Sequence, residues 1–107
     1  MPNNVTITKM VVYFYDNSVA YPIIVFLYRN NPAAGSYLEM AGIQTAGAQP
    51  QYRSSAQTSI TEPVVDQQSY TYSLMVWIEA GGNQLRLAGV RIDYAYATNL
   101  PVILNDQ

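Results

Sequence analysis

The sequence predicts an all-β domain, an antiparallel β-sandwich of about seven or eight strands with a jelly-roll-like arrangement. Segments rich in Val, Ile, Thr, Tyr and Phe recur at spacings of about 8 to 14 residues, with turn residues between them. No window of about twelve residues keeps the apolar spacing of an amphipathic helix. Of the 107 residues 50% are apolar and 11% charged, which is typical of a folded domain with a core rather than a disordered chain.

The first half of the chain contains three predicted strands separated by polar turns. The first ends where Asp16, Asn17 and Ser18 follow, because these short polar side chains hydrogen-bond the local backbone and favour a turn. The second is stopped by the Asn and Pro residues after Arg29. The predicted strands are residues 5–15, 23–28 and 37–44.

The second half begins with a polar strand, residues 52–60, which is expected at a sheet edge. A short strand at Val64 and Val65, a long one at 70–79 and another at 84–96 follow, and residues 100–104 form a final apolar segment. The glycines at 81 and 82 with Asn83 predict a tight hairpin turn that joins the two long strands, since Gly accepts positive φ.

Two strands depart from strict alternation in a way that predicts β-bulges. Val5 and Ile7 share a face, and Met10, Val12 and Phe14 continue it only if one extra residue is inserted near Thr8 and Lys9. The last long strand shows the same offset at Ala88 and Gly89. With both bulges included, we predict that the space between the sheets is lined by Met10, Val12, Phe14, Val25, Leu27, Leu74, Val76, Leu87, Val90 and Ile92.

Several strands are apolar on both faces, although a single sandwich of this size has one core. No helix is predicted that could lie over the second face, so another subunit, a chain segment from another subunit or a ligand is expected there. The ten tyrosines, compared with two Phe and one Trp, suit a subunit interface or a surface on which sugar rings stack. Alternatively, Tyr is simply tolerated on a strand face that is partly exposed to solvent. We predict one contiguous interface face made of Val11, Tyr13, Tyr15, Ile24, Phe26 and Tyr28.

The C-terminal residues form a separate unit in this interpretation. Residues 1–98 are the predicted sandwich domain, and residues 99–107 are an apolar arm whose Leu100, Val102 and Leu104 are added to the interface set. Five apolar residues at a chain end are expected to dock, either on their own subunit or on a neighbour by strand addition. Pro101 is expected at the start of the arm or at an edge, because it has no N–H to donate.

The residue inventory argues against an enzyme. There is no Cys and no His, which removes thiolate nucleophiles, Cys/His zinc sites and His general bases. The seven carboxylates show no pattern of a catalytic pair, so no catalytic residues, cofactor or metal are predicted. A weaker alternative is calcium held by Asp16 and Asn17 with Asp66 or Asp93, against simple turn capping by Asp16 and Asn17.

Charge and hydropathy exclude two classes of partner. The five Lys and Arg residues are scattered and the net charge is −2, whereas nucleic-acid binding needs a basic footprint. The longest apolar run, residues 19–28, is about half of what a membrane-spanning helix requires and contains Pro22. We therefore expect neither nucleic-acid binding nor membrane insertion.

Residues 7–17 with 25–29, and residues 70–76 with 85–94, resemble a loosely defined group of bacterial extracellular β-sandwich domains. Residues 99–105 are similar to a short apolar Leu-Pro tail of secreted proteins from thermophilic filamentous bacteria. The resemblance implies an extracellular or cell-surface location and no catalytic residues. The first residues show no signal peptide, so either Met1 is native or it stands where a signal was removed.

The sequence therefore favours a structural subunit that assembles with itself into an extracellular filament, appendage, surface layer or closed homo-oligomer. A carbohydrate-binding module that uses a face of Tyr residues and Trp77 is the first alternative, with polysaccharide as its partner. A capsid or tail-fibre domain, located in a virion, is the second alternative, and the sequence does not separate it from the leading interpretation.

Overall fold

The computed structural model describes residues 2–79 and 82–96, which form six antiparallel strands in two three-stranded sheets. The first sheet has the order β4-β1-β6 and the second β3-β2-β5, so the two sheets give a sandwich-like, all-β architecture. The strands are β1 (Val5–Asp16), β2 (Ile23–Asn31), β3 (Ser36–Gln44), β4 (Tyr52–Gln57), β5 (Thr71–Ile78) and β6 (Leu85–Tyr96).

The described residues contain six strands, fewer than the predicted seven or eight. Val64 forms only an isolated bridge with Thr6, and the polar strand ends at Gln57 rather than at residue 60. That strand lies at a sheet edge, as predicted. The proposed arm, residues 99–107, lies outside the described residues.

β1 is the centre of the first sheet, and both predicted bulges are confirmed. In the β1–β6 ladder the pairs step from Ile7↔Tyr94 to Lys9↔Asp93, so Thr8 is the extra residue on β1. The pairs then step from Tyr13↔Gly89 to Phe14↔Leu87, which makes Ala88 the extra residue on β6. Each bulge keeps the apolar side chains on the inner face after the alternation has shifted by one residue.

A third bulge lies between β2 and β3 and was not predicted. The register steps from Leu27↔Ala41 to Tyr28↔Glu39, which leaves Met40 as the extra residue. Met40 is buried, and its carbonyl accepts a hydrogen bond from the N–H of Thr61 at 2.9 Å. This bulge therefore ties the segment after β4 to the core side of β3.

The core lies between the two sheets and near the ends of β1 and β2. Of the ten predicted core residues, five are fully enclosed, and Leu87, Val90 and Ile92 are partly buried against them. The buried apolar residues are Val5, Ile7, Met10, Val12, Phe14, Ile23, Val25, Leu27, Met40, Ala41, Ile43, Val65 and Leu85, with Val11 buried on the outer side of β1.

The predicted hairpin between the two long strands is wrong. β5 belongs to the second sheet and β6 to the first, and the 3-10 turn Gly82–Gln84 precedes β6. The glycine-rich segment therefore connects the two layers and does not join neighbouring strands of one layer. β6 pairs instead with β1, which gives its inner residues Val90 and Ile92 the apolar neighbours Val12 and Met10.

A buried polar network closes the end of the sandwich near the β1–β2 turn. The carboxylate of Asp16 accepts hydrogen bonds from the Ser18 N–H at 3.0 Å and from the Thr45 hydroxyl, and Thr45 Oγ1 accepts the Ile23 N–H at 2.9 Å. Arg53 donates to the carbonyls of Asp16, Ala46 and Gly47. The hydrogen bonds of Asp16, Thr45 and Arg53 hold the turn and the 45–47 loop at the end of β1.

Candidate assembly surface

The inner face of β5 is the most unusual feature of the sandwich. Leu74, Val76 and Ile78 point toward the core side, because each is a register partner of a buried β2 residue. The partners Leu27, Val25 and Ile23 are 2%, 0% and 0% exposed, whereas Leu74, Val76 and Ile78 are 46%, 40% and 44% exposed. Adjacent residues on one face of one sheet therefore differ sharply in burial.

These exposures correct the core prediction for Leu74 and Val76. Alternation correctly places both side chains on the inner face, but the first sheet does not extend over them. β5 is an edge strand of the second sheet and β6 an edge strand of the first, so each has one edge without a strand partner in the described parts of the chain. Within residues 2–79 and 82–96, the sandwich is open along this side.

The opening is called the β5–β6 groove below, and it is apolar. Leu27 forms its floor, Leu74 and Tyr72 lie on the β5 side, and Ile92 lies on the β6 side. The opposite side of the sandwich is closed, because β3 and β4 lie close together and Ile60 and Val65 pack against the core there. The two sides thus differ in whether a chain segment covers the core.

A second apolar surface lies on the outer face of the second sheet, again centred on β5. Phe26 pairs with Met75, and Ile24 pairs with Trp77, so these four side chains share one face with Tyr28. Trp77 is 54% exposed, and its indole N–H donates to Glu79 Oε1 at 3.1 Å. We call these five residues the outer patch.

The glycine at position 42 leaves room for the ring of Phe26 in the outer patch. A Cβ on Gly42 would stand 3.1 Å from Phe26 Cδ1 and 3.0 Å from Glu39 Oε2, which is too close for ordinary packing. The Phe26 ring continues to Tyr28, with centroids 5.7 Å apart, and Tyr28 meets Tyr37 edge-on at 5.3 Å. Aromatic rings therefore follow one another from Phe26 through Tyr28 to Tyr37, next to the outer patch.

The outer face of the first sheet carries the other predicted interface residues and has a different character. The side chain of Arg91 donates to the Tyr13 hydroxyl at 2.7 Å, and the guanidinium of Arg86 lies 4.5 Å from the Tyr15 ring centroid. Tyr15 also packs against Tyr52, at 5.3 Å between centroids. Arginine side chains therefore contact the Tyr13 hydroxyl and the Tyr15 ring, which are groups that a partner would otherwise contact.

The prediction of one contiguous interface face is consequently wrong. β1 and β2 belong to different sheets, so Val11, Tyr13 and Tyr15 lie on one outer face of the sandwich, and Ile24, Phe26 and Tyr28 lie on the opposite one. Alternation assigns each residue to an outer face but does not state which sheet that face belongs to. The remaining predicted interface residues, Leu100, Val102 and Leu104, lie outside the described residues.

The carboxylates considered for calcium are engaged separately. Asp16 is buried in the turn network, and Asp66 Oδ1 accepts the N–H groups of Gln68 and Ser69. Asp93 is held by Arg91 at 2.8 Å and by Lys9 at 3.6 Å, and the hydrogen bond from Arg91 lowers the pKa of Asp93. Residues 2–79 and 82–96 contain no cluster of three acidic groups placed to hold a metal ion.

Comparison of the chain with protein-family models, with curated proteins and with solved structures finds no match. The resemblance to bacterial extracellular β-sandwich domains therefore stays a prediction. Within the described residues, no helix is long and apolar enough to cross a membrane.

Proposed function

We propose that the chain is a non-catalytic structural subunit that assembles with copies of itself, as a closed homo-oligomer or as a filament, appendage or surface layer. The observation that carries the proposal is the half-exposed inner face of β5, next to fully buried residues of β2. A strand that is apolar on both faces and has an unpaired edge is unfavourable in an isolated subunit and favours pairing with another chain.

The outer patch supports the same proposal, since it extends the apolar surface of β5 to its other face. Together, the β5–β6 groove and the outer patch place exposed apolar side chains on both sides of one edge strand. A contact centred on β5 would remove both surfaces from water. The seven- or eight-stranded, jelly-roll-like sandwich would then be a property of the assembled protein. An extracellular or cell-surface location is proposed from the resemblance to bacterial extracellular β-sandwich domains.

A carbohydrate-binding function is the second candidate, favoured by the outer patch and the neighbouring Tyr37. Trp77 and Tyr37 are both largely exposed on a sheet, which is a suitable surface for stacking of sugar rings. A hydrogen-bonding carboxylate, Glu79, lies next to the Trp77 indole. This candidate does not account for the exposed inner face of β5.

Size-exclusion chromatography with light scattering, followed by electron microscopy, tests the proposal. One chain has a mass of 11.9 kDa, so we expect a discrete multiple of that mass or an extended polymer. The same samples are titrated with soluble polysaccharides. A monodisperse 11.9 kDa species at all concentrations would contradict self-assembly, and a monomer that binds polysaccharide would support the second candidate instead.

A further inference from the structure

We infer that the apolar segment 100–104 of a second copy adds as a strand to the unpaired edge of β5 and fills the β5–β6 groove. This inference rests on the proposed self-assembly and names the contact through which it occurs. Its occupant is a segment of this same chain, outside the described residues, that follows β6 after Tyr96.

The first argument is the match between the apolar pattern of the segment and that of the groove. The exposed inner residues of β5 are Leu74, Val76 and Ile78, which alternate along the strand. Leu100, Val102 and Leu104 repeat the same alternation over the same length. In an extended strand these three side chains point to one side, so all three can enter the groove together.

The second argument is the backbone. One edge of β5 has no strand partner among the residues that the structure describes, so its N–H and C=O groups can bond an extended chain laid beside it. When Leu100, Val102 and Leu104 exchange hydrogen bonds with β5, the nitrogen of Pro101 points away from β5. Proline is tolerated at that position of an added strand, because no N–H is needed there.

The third argument identifies the donor as a second copy. If the chain reversed tightly at Thr98 and Asn99 and ran back along its own β6, then Asn105 would lie beside Ile92. Ile92 and Leu74 line the same part of the groove. The polar residues 105–107 would then occupy the apolar groove, and the apolar segment would lie near the end of β6. A segment from another copy has no such restriction on its register.

The test uses full-length variants at two nearby C-terminal positions. Val102→Asp places a carboxylate on the side that enters the groove, and Asn105→Asp places the same carboxylate just after the apolar segment. We expect Val102→Asp to be a folded monomer and Asn105→Asp to assemble as the parent does, by light scattering. Circular dichroism and thermal melting verify that both variants keep the fold.

A mixing experiment separates a second copy from fold-back on the same subunit. Val76→Asp blocks the groove but keeps the segment, and Val102→Asp keeps the groove but disables the segment. Each variant alone is expected to be monomeric, and an equimolar mixture is expected to form a 1:1 heterodimer. Circular dichroism of Val76→Asp controls for misfolding, which is not expected at a residue that is 40% exposed.

Three results would overturn the inference and leave the proposed function standing, provided that the parent chain assembles. These are unchanged assembly of Val102→Asp, equal loss of assembly in Val102→Asp and Asn105→Asp, and the absence of a heterodimer in the mixture. A monomeric parent chain whose melting temperature falls on Val102→Asp substitution would overturn both, because the segment then folds onto its own subunit.

Discussion

Leu27→Ala is expected to destabilise the monomeric subunit far more than Leu74→Ala, although the two leucines are direct register partners on the same face. Leu27 is 2% exposed, so its truncation removes buried surface and leaves a cavity, at a cost of about 2 to 5 kcal/mol in the free energy of unfolding. Leu74 is 46% exposed, and its truncation is expected to cost about 1 kcal/mol.

Urea denaturation at concentrations where the chain is monomeric measures both variants. The two variants are well matched, because both replace a leucine by alanine on the same face of the same sheet. They differ only in how far other residues cover the leucine side chain. In the assembled protein the effect of Leu74→Ala on the melting temperature is expected to increase, since a second chain then covers the side chain. Equal destabilisation of the monomer by the two substitutions would show that the groove is closed without a partner.

Phe26→Arg is expected to dissociate the assembly while the subunit stays folded. Phe26 lies at the centre of the outer patch, beside Met75 and Tyr28, and its side chain is only partly buried in the isolated subunit. An arginine there can remain hydrated in the monomer. In a contact between subunits, its unpaired charge would cost several kcal/mol.

Ser54→Arg is the matched control for this prediction. Ser54 is exposed and pairs with Tyr13, so it lies on the outer face of the first sheet, where arginines already cap the tyrosines. Light scattering is expected to give the parent molar mass for Ser54→Arg and a reduced one for Phe26→Arg. The reverse order would mean that the first sheet, with Val11, Tyr13 and Tyr15, provides the contact.

Local patterns in the sequence were sufficient to predict an all-β, antiparallel architecture, the positions of the main strands and two of the three bulges. A bulge is visible as a break in alternation within one strand, as at Thr8 and Ala88. The bulge at Met40 was missed because the glycine at position 42 already interrupts the apolar pattern of β3. The errors in the positions of strand ends were small, because the residues that start and stop a strand are local in the sequence.

Features that depend on which strands become neighbours could not be predicted in this way. Glycine-rich turns indicate that the chain reverses, but not that β5 and β6 belong to different sheets. Tyr13 and Phe26 lie on opposite outer faces of the sandwich because their strands, β1 and β2, also belong to different sheets. The exposure of Leu74 had one sequence signal, the apolar character of residues 70–78 on both faces, which is also typical of a strand covered by another subunit.

Amide hydrogen exchange along β5 tests most directly whether a second chain completes this strand. The measurement compares the assembled parent with the Val102→Asp variant, residue by residue, from Thr71 to Ile78. We predict that amides on the edge away from β2 are protected in the parent and exchange rapidly in the variant, while amides bonded to β2 stay protected in both. Rapid exchange of the outer-edge amides in the assembled parent would contradict the account.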